Sequence, residues 1–151
     1  MRISAKADYA VRAALELAAA TELPVKGERI AAAQEIPLKF LENIMADLRQ
    51  AGLVASHRGP EGGYRLDLPA AEITIADVIR AVDGPLAVVH GDRPEKTAYH
   101  GAAGSLQEVW VALRANVRAV LERVSLADVV EGSLPASVRD LAAEPDAWTR
   151  H

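Results

Sequence analysis

The amino-acid sequence predicts a mainly α-helical fold carrying one small β-hairpin. Three observations support this. Apolar residues recur at helical spacing in several separate stretches. Only one pair of short β-like runs occurs, and it flanks a glycine-rich turn, Arg58-Gly59-Pro60-Glu61-Gly62-Gly63-Tyr64. Cap and breaker residues fall where the helical stretches begin and end.

Ser4 to about Ala20 is alanine-rich, with Val11, Leu15 and Ala18 spaced four and three apart and Ser4 as N-cap. Thr21 to Gly27 holds Pro24 and Gly27 and reads as a loop. Glu28 to Gln34 is a short helix built around Ile30 and alanines. Ile36 sits in a turn before Pro37, a residue suited to the first position of a helix. From Leu38 to about Ala51, an apolar face forms from Leu41, Ile44 or Met45, and Leu48. Lys39, Asn43, Asp47 and Gln50 are polar surface, and Gly52 is the C-cap glycine. Leu53 to His57 and Tyr64 to Leu68 are the two strands of the hairpin. Thr74 to Asp83 is a helix whose Thr74-x-x-Asp77 resembles a capping box, and Gly84-Pro85 stops it. Leu86 to Gly104 shows no sustained period, contains His90 and His100, and reads as a long loop.

The next helix has the clearest pattern. Ser105-x-x-Glu108 is a capping box in sequence. Leu106, Trp110, Leu113, Val117, Val120 and Val124 then follow at steps of four, three, four, three and four, a one-sided heptad seam widened by Val109 and Leu121. Two readings fit: a helix packed on its own domain, or a helix paired between two subunits. The sequence favours the second, because the unit before it already looks complete. Ser125 to Gly132 is a short capped helix. The expected organisation is a unit 1–84, a loop 85–104, a dimerisation helix with its short follower 105–132, and a flexible tail 133–151 in which Trp148 is the candidate anchor.

Composition bounds the function. The chain has 151 residues, 50% apolar and 25% charged, which suits one domain or a small domain with an appended helix. With one Phe, two Trp and three Tyr, its core must be aliphatic. There is no cysteine, which removes disulfides, thiol redox chemistry, thiolate zinc sites and cysteine-ligated clusters. The longest run without Asp, Glu, Lys or Arg, Thr97 to Gln107, is too short for a membrane span of about 20 residues. Lys6, Asp8, Arg12 and Glu16 interrupt any signal-peptide core, so a cytoplasmic protein is expected. Net charge is −4; residues 1–67 hold nine Lys/Arg and nine Asp/Glu, so the acid excess lies in the second half.

The second and third helices, joined by a tight turn, match helix-turn-helix geometry, and the hairpin after them makes a winged helix. A helix about 10–12 Å across fits the major groove with its N-terminal side chains at base edges. The bare backbone of Gly59, Gly62 and Gly63 can approach phosphates, and Arg58 can bring positive charge to a narrow minor groove. Asn43 could pair with adenine, and Lys39 with guanine or a phosphate. Arg49 reads as a phosphate contact or a solvated charge, and Tyr64 as packing for the hairpin base more than as a DNA contact.

Met1-Arg2-Ile3-Ser4-x-Lys6-x-x-Tyr9-Ala10-Val11, Ile36 to Glu42, Leu48-Arg49-x-Ala51-Gly52-Leu53-Val54, the wing Arg58-Gly59-Pro60-x-Gly62-Gly63-Tyr64 and Ile75 to Asp83 together resemble the BadM/Rrf family of bacterial transcription regulators. The similarity covers roughly residues 1–132. The resemblance implies a homodimer held by the long helix, binding double-stranded DNA at a two-fold-related operator and usually repressing. It implies base-facing roles for Lys39, Phe40 and Asn43, a position that tunes site choice at Glu42, and a wing contact at Arg58.

The chain departs from the family's best-known sensors, which hold an iron–sulfur cluster on three cysteines in the loop before the dimer helix. No cofactor is therefore expected. Asp8 matches a carboxylate ligand of some relatives, but without thiolates it reads as a helix-surface or interface residue. His90 and His100 sit in the same loop and could form a two-His metal or haem site, but two histidines in a loop are a sparse pattern for one. An apolar effector under the loop near Trp110 is an open alternative. The leading function is a sequence-specific DNA-binding regulator. The alternatives are a winged-helix module that binds protein, which the balanced charge of 1–67 would suit, and a small-molecule-sensing regulator. No nucleophile, phosphate-loop or metal motif points to an enzyme.

Overall fold

The structure, a computed structural model, describes all of residues 1–151. Its helices are α1 (Ala5–Ala19), α2 (Gly27–Gln34), α3 (Leu38–Gln50), α4 (Ile75–Asp83), α5 (Leu106–Leu121), α6 (Leu126–Glu131) and α7 (Ala136–Ala143), with strands β1 (Val54–His57) and β2 (Gly63–Leu66) between α3 and α4. The strands pair antiparallel, from Val54 opposite Leu66 to His57 opposite Gly63. The mainly helical chain with one hairpin is the architecture expected.

Caps set the helix starts. Ser4 accepts from the Ala7 N–H at 2.9 Å. Thr74 with Asp77 and Ser125 with Asp128 form complete capping boxes. Ser105 does not: it makes no capping bond. The three working caps have extended ψ values of 154–164°, which aims the hydroxyl at the first turn, whereas Ser105 has ψ 1°. A 3-10 turn at Gly101–Ala103 has already wound the backbone before Ser105. Pro37 is the residue before α3, not its first helical residue.

One core holds the N-terminal unit together. Leu41, Ile44, Met45 and Leu48 of α3 are fully buried against Ala10, Ala13 and Leu17 of α1, Ile30 of α2 and Val54 of β1. The small α1 side chains let α3 pack closely, and each buried aliphatic contributes about 1.5–3 kcal/mol. Two long-range backbone pairings complete the unit. Val25, in the segment expected to be only loop, exchanges both hydrogen bonds with Tyr64 at 2.8 and 2.7 Å. Thr74 bridges Ser125, so Ile75 N–H donates to Val124 and Leu126 N–H to Ile73, both at 2.9 Å. Leu126 is thereby buried in the main core, and α6 belongs to the N-terminal unit in space.

The long helix is shorter than its sequence pattern. It ends at Leu121, so Val124, placed on the seam from its spacing, lies beyond the helix and is buried within its own chain. Val117 and Leu121 pack on a second small cluster of Ala7, Ala76, Ile79 and Leu86. No α5 residue is fully buried, and Val109 and Val111 are 55% and 41% exposed. Residues 86–104, expected as loop, contain 3-10 turns at Pro94–Lys96 and Gly101–Ala103. Residues 133–151 contain α7, which Pro135 and Pro145 bound rather than break. Trp148 does not anchor this segment on the domain: it is 80% exposed, and its indole N–H donates to the carbonyl of Ala142 six residues away.

Candidate nucleic-acid interface

The turn from α2 to α3 is three residues long, and Glu35 takes it through the left-handed region at φ 54°. With Leu41, Ile44, Met45 and Leu48 turned inward, helical geometry turns Lys39, Phe40, Glu42 and Asn43 outward on the first turns of α3, and all four are exposed. Lys39, Glu42 and Asn43 make no hydrogen bond or ion pair within the chain, leaving their polar groups available. Phe40 is set differently. Its ring stands edge-on to Tyr9 of α1, with centroids 5.5 Å apart at 82°. Tyr9 lies under the Arg12 guanidinium, 4.8 Å from the ring centre. Arg12 also reaches Asp8 at 2.9 Å and the Gln34 carbonyl at 2.8 Å, tying α1 to the end of α2. Lys6 and Asp47 join α1 to α3 at 2.7 Å. The start of α3 is thus held from behind by α1.

Beside α3 the hairpin forms a polar cleft of about 440 Å³, lined from α3 by Glu42 and Arg49 and from the hairpin by His57, Arg58 and the wing glycines. Arg49 donates to the Ser56 hydroxyl at 3.1 Å, strapping the end of α3 to β1. Arg58 is exposed and unpaired at the foot of the wing. The wing glycines divide by role. A Cβ on Gly62 would lie 2.4 Å from the His57 carbonyl, and one on Gly63 would lie 2.4 Å from that of Val25. Those two glycines are demanded by close approach inside the fold. Only Gly59, at φ +100° with nothing near its Cβ direction, has the open surroundings expected of a backbone that meets a ligand. Tyr64 is half-buried, with its ring against Gly27, as packing for the hairpin base.

Sequence reasoning did not find Lys26. It lines the same cleft with Arg58 because Val25 pairs with Tyr64. That pairing spans 39 residues of chain, and no local periodicity signals it.

Leu106, Trp110, Leu113 and Val120 are half-buried on α5, and Val117 packs on the chain's own second cluster. Trp110 and Leu113, with His90 and the chain's first two residues, line an open apolar cleft of about 540 Å³. No three His, Cys, Asp or Glu side chains converge anywhere in the molecule.

A family model described as Rrf2, iron-dependent transcriptional regulator, matches residues 3–132. The chain belongs to the Rrf2 family. It is 52% identical to Rv1287 of Mycobacterium tuberculosis, named provisionally as an HTH-type transcriptional regulator, over 158 aligned residues that cover all of this chain and 96% of that one. It is 36% identical to the HTH-type transcriptional regulator IscR of Aliivibrio salmonicida, covering 93% of this chain and 83% of the relative. Among solved structures it is similar to CymR, the global cysteine regulator of B. subtilis, with a TM-score of 0.74, 32% identity, and coverage of 87% of this chain and 98% of that one. The Rrf2 fold is a winged helix-turn-helix, and α2, α3 and the hairpin form it here.

The family description implies iron, and the donors of this Rrf2 chain do not fit it. There is no thiolate. Asp8 is engaged by Arg12. The two carboxylates of the segment 86–104 are both paired with cations, Asp92 with Lys96 at 3.2 Å and Glu95 with Arg114 at 3.5 Å. The Arg93 backbone N–H and then Lys96 hold the Asp92 carboxyl below its ordinary value. His90 and His100 remain, and two imidazoles do not make a closed iron site.

Proposed function

We propose that this chain is a sequence-specific DNA-binding transcription regulator of the BadM/Rrf type, acting in the cytoplasm as a homodimeric repressor at a two-fold-related operator. The observation that carries this reading is the outward face of α3. Lys39, Glu42 and Asn43 stand there with no partner in the chain, next to an equally unpartnered Arg58 on the wing. Hydrogen-bonding groups left unpaired on a rigid helix, with a cation on the adjacent hairpin, suit base edges and phosphates. Asn43 would read adenine, Lys39 a guanine or a phosphate, and Arg58 a minor groove. Glu42 would reject some bases by repulsion. Arg49 acts as a strap for β1 and Tyr64 as packing. Gly62 and Gly63 shape the wing, and Gly59 is the point of closest approach to DNA.

The dimer reading is supported by the apolar surface of α5, where Leu106, Val109, Trp110, Leu113 and Val120 are not covered by the chain's own core. A two-fold dimer would place the two α3 helices about one DNA turn apart. No helix of the chain is long and apolar enough to cross a membrane.

The test is retardation of DNA fragments from upstream of the chain's own gene, with light scattering of the free protein. Specific retardation by a species of twice the chain mass is expected. Absence of retardation at low salt would overturn the DNA reading, and a monomer at micromolar concentration would overturn the dimer.

A further inference from the structure

We infer that two side chains of α5, Gln107 and Arg114, hold the segment 86–104 in its functional shape, and that DNA binding by this chain consequently does not respond to iron. The inference rests on the DNA-binding reading above and adds how that activity is, and is not, regulated.

The segment is tied at its start and at its middle. Arg114, whose side chain is only 14% exposed, donates from Nε to the Leu86 carbonyl at 3.2 Å and pairs with Glu95 at 3.5 Å. The Gln107 amide nitrogen faces three carbonyls, those of Thr97 at 2.7 Å, Glu95 at 3.1 Å and Pro94 at 3.4 Å. Pro94 is buried beneath them, and the Thr97 hydroxyl closes the turn onto the Pro94 carbonyl at 2.6 Å. Between these two ties, Val89 and Asp92 exchange both backbone bonds at 2.8 and 3.0 Å. A long segment with little apolar burial stays ordered only when its backbone groups find partners. Here the segment's own turns supply some of those partners, and α5 side chains supply those of the Leu86, Pro94, Glu95 and Thr97 carbonyls. A metal centre would have to take Asp92 and Glu95 from Lys96 and Arg114, and two ligand carboxylates would leave a half-buried guanidinium without its anion. The order that a cofactor could supply is already provided, and without a thiolate the segment's remaining donors do not converge into an iron site.

Two measurements on the full chain test this. In the first, protein treated anaerobically with ferrous iron and sulfide and then desalted is compared with chelator-treated protein, for bound iron and for affinity to the upstream DNA. The expected result is less than about 0.1 iron per chain and affinities equal within about twofold. Iron approaching one atom per chain, or an affinity changed about tenfold by the treatment, would overturn the inference. In the second, amide hydrogen exchange is followed in Gln107→Glu, which keeps the side chain's shape and removes its donors, and in Arg114→Met. Exchange across 86–104 is expected to quicken by about tenfold in each, with α3 unchanged. Wild-type exchange in both variants would overturn the clamp. Failure of every preparation to bind DNA would count against the DNA-binding reading instead, while iron content and exchange still decide the clamp.

Discussion

Replacing Gly63 by alanine tests how the wing is held. A Cβ there would lie 2.4 Å from the Val25 carbonyl oxygen, 2.6 Å from its carbon and 3.0 Å from the Lys26 nitrogen. Carbon and oxygen need about 3.3 Å, so the two backbones must part by roughly 1 Å. That stretches the 2.7 and 2.8 Å bonds between Val25 and Tyr64 beyond useful hydrogen-bonding distance. Val25 is 5% exposed, so its freed polar groups gain little from water. Each lost bond costs about 1 kcal/mol net, and more where a group is left buried, which gives about 2–3 kcal/mol in all. For a chain of this size the expected fall in Tm is about 5–10 °C. Thermal unfolding followed by circular dichroism measures it, and amide exchange at Val25 and Tyr64 locates it. Gly59→Ala is the control. Nothing lies near its Cβ, so only the backbone strain of φ +100° is added, about 1–2 kcal/mol, and Val25 stays protected. A Gly63→Ala protein with wild-type Tm and a protected Val25 amide would refute the argument.

Other outcomes follow from the same geometry. Asn43→Ala is expected to cost about 1–3 kcal/mol of DNA affinity and to relax preference at a single base pair, read by binding to a set of single-position operator variants. Leu126→Ala should lower stability by about 2–5 kcal/mol in denaturant titration, because that side chain is fully buried in the main core, whereas Leu141→Ala on exposed α7 should change it by less than about 0.5 kcal/mol. The Glu122 carboxyl is held below its ordinary value of 4.5, first by Arg118 and then by Arg80, so its contribution is present above that pH and is lost as pH falls through the depressed value. Glu122→Gln should therefore lower Tm at neutral pH, and its difference from wild type should close in acid. A difference that persisted undiminished through acid titration until the protein unfolds would contradict this.

The local parts of the fold were legible in the sequence, and the long-range parts were not. Ser4, Thr74 and Ser125 could be read as caps because each precedes a helix in extended backbone. Ser105 carries the same pattern and fails because Gly101–Ala103 winds the chain early, which no cap motif records. The heptad spacing through Val124 continued past the real helix end, since an apolar residue in an extended link obeys the same spacing by chance. Lys39, Phe40, Glu42 and Asn43 were readable as the outer face of α3 because the inner face is a clean apolar stripe. Lys26 was not, since only the Val25–Tyr64 pairing carries it to the cleft. The wing glycines were given one reason, room for a DNA backbone, where the geometry separates two. Gly62 and Gly63 serve contacts inside the chain, and Gly59 alone is open.

The most direct test of the central claim is the salt dependence of operator binding by wild type and Arg58→Ala. Phosphate contacts by α3 and the wing in each half of a dimer should give a steep fall of log affinity with log salt, a slope of about −4 or steeper. Arg58→Ala should bind more weakly and lower the magnitude of that slope by about one for each cation lost from the DNA-facing surface. A flat salt dependence, or an Arg58→Ala protein with wild-type affinity and slope, would contradict the assignment of α3 and the wing as the DNA-binding surface.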